Sequence, residues 1–160
     1  FAKKGEAAKI VFKVNSVVES KAMQALYRAS QAGVEVKLIV RGVCSLKPGI
    51  KGVSDNIEVR SIIGRYLEHT RVYMFENGGN QEVYASSADL MSRNMFRRVE
   101  VGFPIESKRL KQRILDDLDC YLQDNSQAWL MQSDGSYVQC VPEDDVFRVQ
   151  NKLMEQYSVK

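Results

Sequence analysis

Apolar and polar positions alternate with two different periods along this chain, and the changes of period mark its elements. The run 9–14, Lys-Ile-Val-Phe-Lys-Val, is short and β-branched, which predicts a strand. Ser16 and Glu19 stand at the spacing of a capping box and predict a helix opening there. Val18, Ala22, Ala25, Leu26 and Ala29 continue at helical spacing. Gly33 suits the position just past a helix, where φ must be positive. The run 34–40 is a second strand, apolar enough at its end to be central in a sheet. Strand, helix and strand in that order predict a parallel pair with a right-handed crossover.

Beyond Arg41-Gly42 the pattern breaks into a basic loop containing Lys47-Pro48-Gly49 and Lys51-Gly52. Strand-like runs follow at 57–63, 71–75 and 82–85, with Asn77-Gly78-Gly79-Asn80 as a hairpin signal between the last two. A further run, 98–103, precedes Pro104. Helical spacing returns from Glu106 to about Gln123, where Leu110, Ile114, Leu118 and Tyr121 share a face. Two short runs, 128–131 and 137–141, flank Ser133-Asp134-Gly135-Ser136, and a closing helix is predicted from about Asp144 to Tyr157. There is no internal repeat. These elements sum to an α/β domain with a mixed central β-sheet flanked by helices.

Composition changes this picture little. The 160 residues suffice for a single domain, 1–160, with a sizeable core. No apolar stretch approaches the length of a membrane span. The chain opens on Phe1-Ala-Lys-Lys, so no signal peptide is expected at this end, and the absent initiator Met leads us to expect a piece of a longer protein. A formal net charge of +3 is too mild to imply nucleic acid as a partner. Between Arg41 and Arg98, however, nine basic residues face six acidic ones. Cys44, Cys120 and Cys140 are too scattered for a zinc site and read as small apolar residues in a reducing compartment.

Candidate chemistry centres on His69, the single histidine, in Glu68-His69-Thr70-Arg71. If this segment is extended, His69 and Arg71 point to one face. An imidazole and a guanidinium together suit a phosphoryl group, which the first can attack or protonate and the second can hold in a fork. Ser86-Ser87-Ala88-Asp89 offers hydroxyl groups at a strand end, although turn chemistry explains such a cluster equally well. Arg98 and Glu100 would share a strand face as a surface ion pair. Arg41 closes an apolar strand, where open α/β sheets commonly place ligands. No Walker A, dinucleotide-binding or Gly-x-Ser-x-Gly pattern is present.

His-x-Arg, a hairpin, then Ser-Ser-Ala-Asp resembles the half-site of the phospholipase D-like superfamily, His-x-Lys with an Asp five residues on and a later Gly-Ser-x-Asn. Here Arg71 replaces the Lys, and Glu76 falls where the Asp would be. These departures fit one branch. The segments 38–49, 60–71, 86–94 and 97–105 together resemble the C-terminal domain of the polyphosphate kinase family.

That resemblance implies reversible transfer of the ATP γ-phosphate to polyphosphate through a phosphohistidine. It also implies that the phosphate-accepting histidine lies in a preceding domain of the same chain, with the active site between the two. His69 then matches a second histidine that assists transfer. Arg41 matches an arginine on the nucleotide's phosphates, with Arg71 more loosely alongside. Glu100 matches a carboxylate near that site, placed to orient His69 or Arg41. The family's magnesium-contacting and adenine-stacking residues fall outside this segment, so ATP and Mg2+ are expected cofactors with no metal ligand here. A homo-oligomeric, cytoplasmic full-length enzyme is expected, its peripheral membrane association left open. Two alternatives stand beside this reading: a phospholipase D-like phosphodiesterase, and a non-catalytic phosphate-binding module.

Overall fold

A computed structural model describes residues 1–143 and 145–158. In chain order its strands are β1 (Ala8–Val14), β2 (Glu35–Val40), β3 (Ile57–Ile62), β4 (Val72–Asn77), β5 (Asn80–Ser86), β6 (Gly102–Pro104), β7 (Ala128–Met131) and β8 (Tyr137–Gln139). The helices are α1 (Ser20–Gln31), α2 (Ser92–Phe96), α3 (Lys108–Gln123) and α4 (Val149–Tyr157). The strands form one mixed sheet in the order β6-β5-β4-β1-β2-β3-β7-β8. β1, β2 and β3 run parallel, and every other pairing is antiparallel.

The two-residue period of the strands sorts side chains between two cores. Phe12 and Val14 of β1, Val36, Leu38 and Val40 of β2, and Ile57 and Val59 of β3 meet Leu26 of α1 on one face. Val11, Ile39, Val72, Met74 and Val83 meet Leu115, Leu118 and Tyr121 of α3 and Val149 of α4 on the other. Phe12 packs edge-on against both Tyr73 and Phe75, with ring centroids 4.8 and 5.3 Å apart, and ties β1 to β4. The β4–β5 hairpin closes through Gly78 and Gly79, at φ 59° and 92°, the left-handed backbone its two-residue loop requires.

Several sequence expectations are corrected. Helix α1 starts at Ser20, so Ser16 is not its cap. Val17 is fully buried and bridged in parallel to Cys44 and Leu90, which commits this stretch to strand-like bonds before the helix can begin. Glu19 caps the helix instead, accepting from the Ala22 N–H at 2.6 Å. The run 98–103 pairs with β5 only from Gly102 onward. Arg98 and Glu100 therefore lie in irregular backbone and form no ion pair among the described residues. Helix α2, unsignalled by periodicity, fills part of the loop before it. In α3 the core face is Leu115, Leu118 and Tyr121, and Leu110 is exposed. Helix α4 starts at Val149, five residues after the expected start, Asp144, which lies outside the described residues. The three cysteines are free and half-buried.

Candidate functional site

Strand register gathers the candidate residues at one edge of the sheet. Val14 is level with Val40, Lys13 with Val72, and Val72 with Ala85. Asn15, Arg41, Arg71 and Ser86 follow or precede those levels by a single residue. They emerge together where the parallel strands end, the edge at which open α/β sheets place ligands.

His69 sits exposed in the irregular segment between β3 and β4. An Arg41 guanidinium nitrogen lies 3.3 Å from its Nδ1. The Arg41 Nε donates to Asn15 Oδ1 at 2.6 Å. Asn15 is buried at the end of β1, and its backbone N–H donates to Asp89 Oδ1 at 2.7 Å. Asp89, also buried, takes Arg71 in a fork: Nε lies 3.0 Å from Oδ1, and Nη2 donates to Oδ2 at 3.1 Å. Arg71 Nη1 then donates to the His69 carbonyl at 3.1 Å. The contacts form a closed circuit through His69, Arg41, Asn15, Asp89 and Arg71. Burial pushes the Asp89 carboxyl up, but Arg71 and the bonds from Asn15 outweigh it and hold the group below the usual carboxylate range.

A second cluster anchors the segment that carries His69. Glu68 accepts from Lys13 Nζ at 2.9 Å, from the Tyr121 hydroxyl, and from Gln150 Nε2 at 2.8 Å. The Gln150 amide also receives the Tyr66 N–H and donates to the Tyr66 carbonyl, both at 2.9 Å. Lys13 is buried and lies 4.8 Å from the centre of the Tyr121 ring. Burial raises the Glu68 carboxyl, and the Lys13 charge with the three donors more than offsets it, so the group titrates below its ordinary value. Burial and Glu68 together push the Tyr121 phenol far up. Beside this cluster opens a cavity of about 430 Å³, lined in part by Lys13, Arg41, Arg65, Tyr66, Leu67 and Glu68.

The expected residues are thus only partly united. His69 and Arg41 touch, as a shared site requires. Arg71 is adjacent, but it precedes β4 in irregular backbone and shares no strand face with His69; its guanidinium is occupied by Asp89. Glu100 bonds to the Ser87 hydroxyl and to Asn94 Nδ2, the latter at 2.6 Å, and to neither His69 nor Arg41. Those two donors lower its carboxyl pKa. Glu76 closes the hairpin by accepting the Gly79 N–H, about 16 Å along β4 from Arg71 at the usual rise per residue. Asn15, Asp89 and Lys13 escaped the sequence reading as site residues. A lysine interrupting an apolar strand, and an aspartate beside two serines, were the available signals. Among the described residues no group of three or more His, Cys, Asp and Glu side chains is placed to hold a metal ion.

A mixed sheet that gathers a histidine and arginines at one end has the architecture of the phospholipase D-like fold. Two solved structures share it. Nuc from Salmonella typhimurium, described as a phospholipase D family member, superposes with a TM-score of 0.60 at 17% identity, over 82% of this chain and 87% of its own. NucT from Helicobacter pylori gives 0.58 at 12% identity, over 76% and 83%.

Within that fold the chain belongs to the family described as polyphosphate kinase C-terminal domain 2, whose model matches residues 1–150. It is 52% identical over 160 residues to a polyphosphate kinase of Pseudomonas putida, covering 99% of this chain and 22% of the relative. A polyphosphate kinase of Pseudomonas aeruginosa is 57% identical over 138 residues, 86% of this chain and 20% of that one. The crystal structure of polyphosphate kinase from Porphyromonas gingivalis superposes with a TM-score of 0.92 at 37% identity, over 96% of this chain and 24% of its own. The chain thus spans about a fifth of the length of the curated relatives it matches.

Proposed function

We propose that this domain supplies one half of the active site of a polyphosphate kinase, which moves the terminal phosphoryl group of ATP reversibly to a polyphosphate chain. The observation that carries this reading is the contact between Arg41 and His69 at the ligand-binding edge of the sheet, in a chain of this family. Phosphoryl transfer asks a protein chiefly for positioning and positive charge. Arg41 supplies the charge, since no acidic side chain among the described residues is bonded to it.

A guanidinium can only donate hydrogen bonds, so the His69 Nδ1 facing it carries the lone pair and the neutral ring bears its proton on Nε2. An Nε2–H donor can bond to a phosphoryl oxygen as charge builds on it. It offers no free lone pair for attack on phosphorus. His69 therefore assists transfer, and the nucleophilic histidine comes from elsewhere in the longer polypeptide. Glu100 acts at a distance, by fixing Ser87 and Asn94 beneath the site.

The test places this chain in the corresponding segment of the Pseudomonas putida relative and follows ATP-dependent polyphosphate synthesis. We expect the chimera to be active, and His69→Ala or Arg41→Ala to lower turnover by at least two orders of magnitude in a folded protein. Undiminished turnover by the His69→Ala chimera would overturn this reading. Hydrolysis of a phosphodiester by the chimera, with no phosphate transfer, would favour the phosphodiesterase alternative, which the shared fold alone supports.

A further inference from the structure

Arg41 is a long, half-buried side chain and His69 an exposed one, and a useful arrangement of the two needs something to hold it. A free arginine loses rotamer entropy when it is fixed. A guanidinium that is already held meets its phosphate without that loss. The buried groups behind the site do this holding.

Asn15 and Asp89 are buried, 6% and 4% exposed, yet both are polar. The Asn15 side-chain carbonyl is directed at Arg41 Nε, at 2.6 Å. The Asn15 backbone is fixed by Asp89, which also receives the Ser16 N–H at 3.3 Å. Asp89 can serve two strands because it follows β5, whose end is level with the ends of β4 and β1. Its charge is matched by Arg71 alone among nearby cations, in a fork that uses both carboxylate oxygens. Arg71 has one nitrogen left, and that nitrogen holds the His69 carbonyl.

From this circuit we infer that Asn15 and Asp89 are positioning residues, and that Arg71 is a third. Asn15 aims Arg41 at His69, Asp89 fixes Asn15 and Arg71, and Arg71 holds the His69 backbone. Arg71 is not a phosphate ligand, because the Asp89 carboxylate compensates its charge and holds its guanidinium. The positive charge that the domain presents to a phosphate at this edge then belongs to Arg41. This inference rests on the proposed function for its catalytic consequence, but the geometry it asserts can be tested without catalysis.

His69 is the only histidine in the chain, so nitrogen NMR of histidine-labelled protein reads that imidazole alone. In the unsubstituted chain at a pH where the ring is neutral, the Nε2–H form should dominate, with a lone pair on Nδ1. Asn15→Ala removes the acceptor for Arg41 and one long bond, 3.4 Å, to Asp89 Oδ2, and leaves both Arg71 contacts of that carboxylate in place. It should mix the two tautomers while the amide spectrum stays dispersed. The exchanged pair Asn15→Asp/Asp89→Asn keeps an oxygen for Arg41 and the same total charge, and should restore the Nε2–H form. In the active chimera, Asn15→Ala should lower kcat by roughly ten- to a hundredfold, the scale of a misplaced reacting group, with a smaller change in the KM for ATP. The exchanged pair, which restores the aim of Arg41 but sets a carboxylate on it, should not recover that loss.

Should Asp89→Asn or Arg71→Gln fail to fold, Asn15→Ala still decides the matter, because its side chain makes few other bonds. An unaltered tautomer signature and unaltered kcat in folded Asn15→Ala would overturn the inference. If His69→Ala also left turnover intact, the proposed function would fall with it; if His69→Ala abolished turnover, only the positioning circuit would fall.

Discussion

Replacing Lys13 by Met tests how the segment bearing His69 is secured. The Lys13 side chain is 7% exposed and its partner Glu68 17%, with 2.9 Å between charges. Removing one member of such a buried pair costs roughly 3–5 kcal/mol, because the other charge remains desolvated. Glu68 keeps the Tyr121 and Gln150 bonds, so the low end applies, about 3 kcal/mol. For a domain of this size that is a fall in Tm of roughly 6–12 °C. Lys13→Met/Glu68→Gln leaves no unpaired charge and should be less destabilised than Lys13→Met alone, with a coupling of about 2 kcal/mol.

The pH dependence has a defined sign. Glu68 titrates below its unfolded value near pH 4.3, so its pairing stabilises the fold above that pH. The contribution fades as pH falls through the lowered folded value. The gap between wild type and Lys13→Met should therefore be full at pH 7 and narrow below about pH 4. Urea unfolding of the four proteins of the cycle, at neutral and acidic pH, measures it. Additive single mutants, or a gap that does not change with pH, would refute the ion pair as the cause and leave lost packing around Tyr121 instead.

Further outcomes follow from the same structure. Gly64→Ala should cost about 1–3 kcal/mol in urea unfolding, because a Cβ there would lie 2.8 Å from Gln150 Cδ and drive out a side chain held at three points by Tyr66 and Glu68. Asp124→Ala should cost at least about 3 kcal/mol, since that buried carboxylate receives the Ser126, Gln127, Ala128 and Val149 N–H groups at 2.8–3.1 Å. Loss of protection in α4 by hydrogen exchange would show that the start of that helix is what Asp124 secures. Calorimetry of this chain with polyphosphate should show binding that weakens with added salt and is reduced at least tenfold by Arg41→Ala; binding unaffected by that change would place the anion elsewhere.

The central βαβ unit and the β4–β5 hairpin were legible in the sequence, because each element satisfies its backbone and its apolar period locally. Gly33 at φ 89° and the Gly78-Gly79 loop are where the residue types predicted. His69 and Arg41 were singled out by family resemblance and by Arg41 closing an apolar strand, and the two lie in contact. Tertiary structure alone decided the rest. Val17 is drawn into bridges with Cys44 and Leu90, residues distant in sequence, and so α1 starts at Ser20 and not beside Ser16. Arg71 was read as a partner of His69 on one strand face, but a buried carboxylate 18 residues away claims it. Glu100 was read on a strand that Ser86 and Ser87 replace with side-chain bonds. Local periodicity determines which residues a segment can bury. Which polar groups those buried surfaces enclose, and therefore which charges remain free for a phosphate, is settled only when separate segments meet at one end of the sheet.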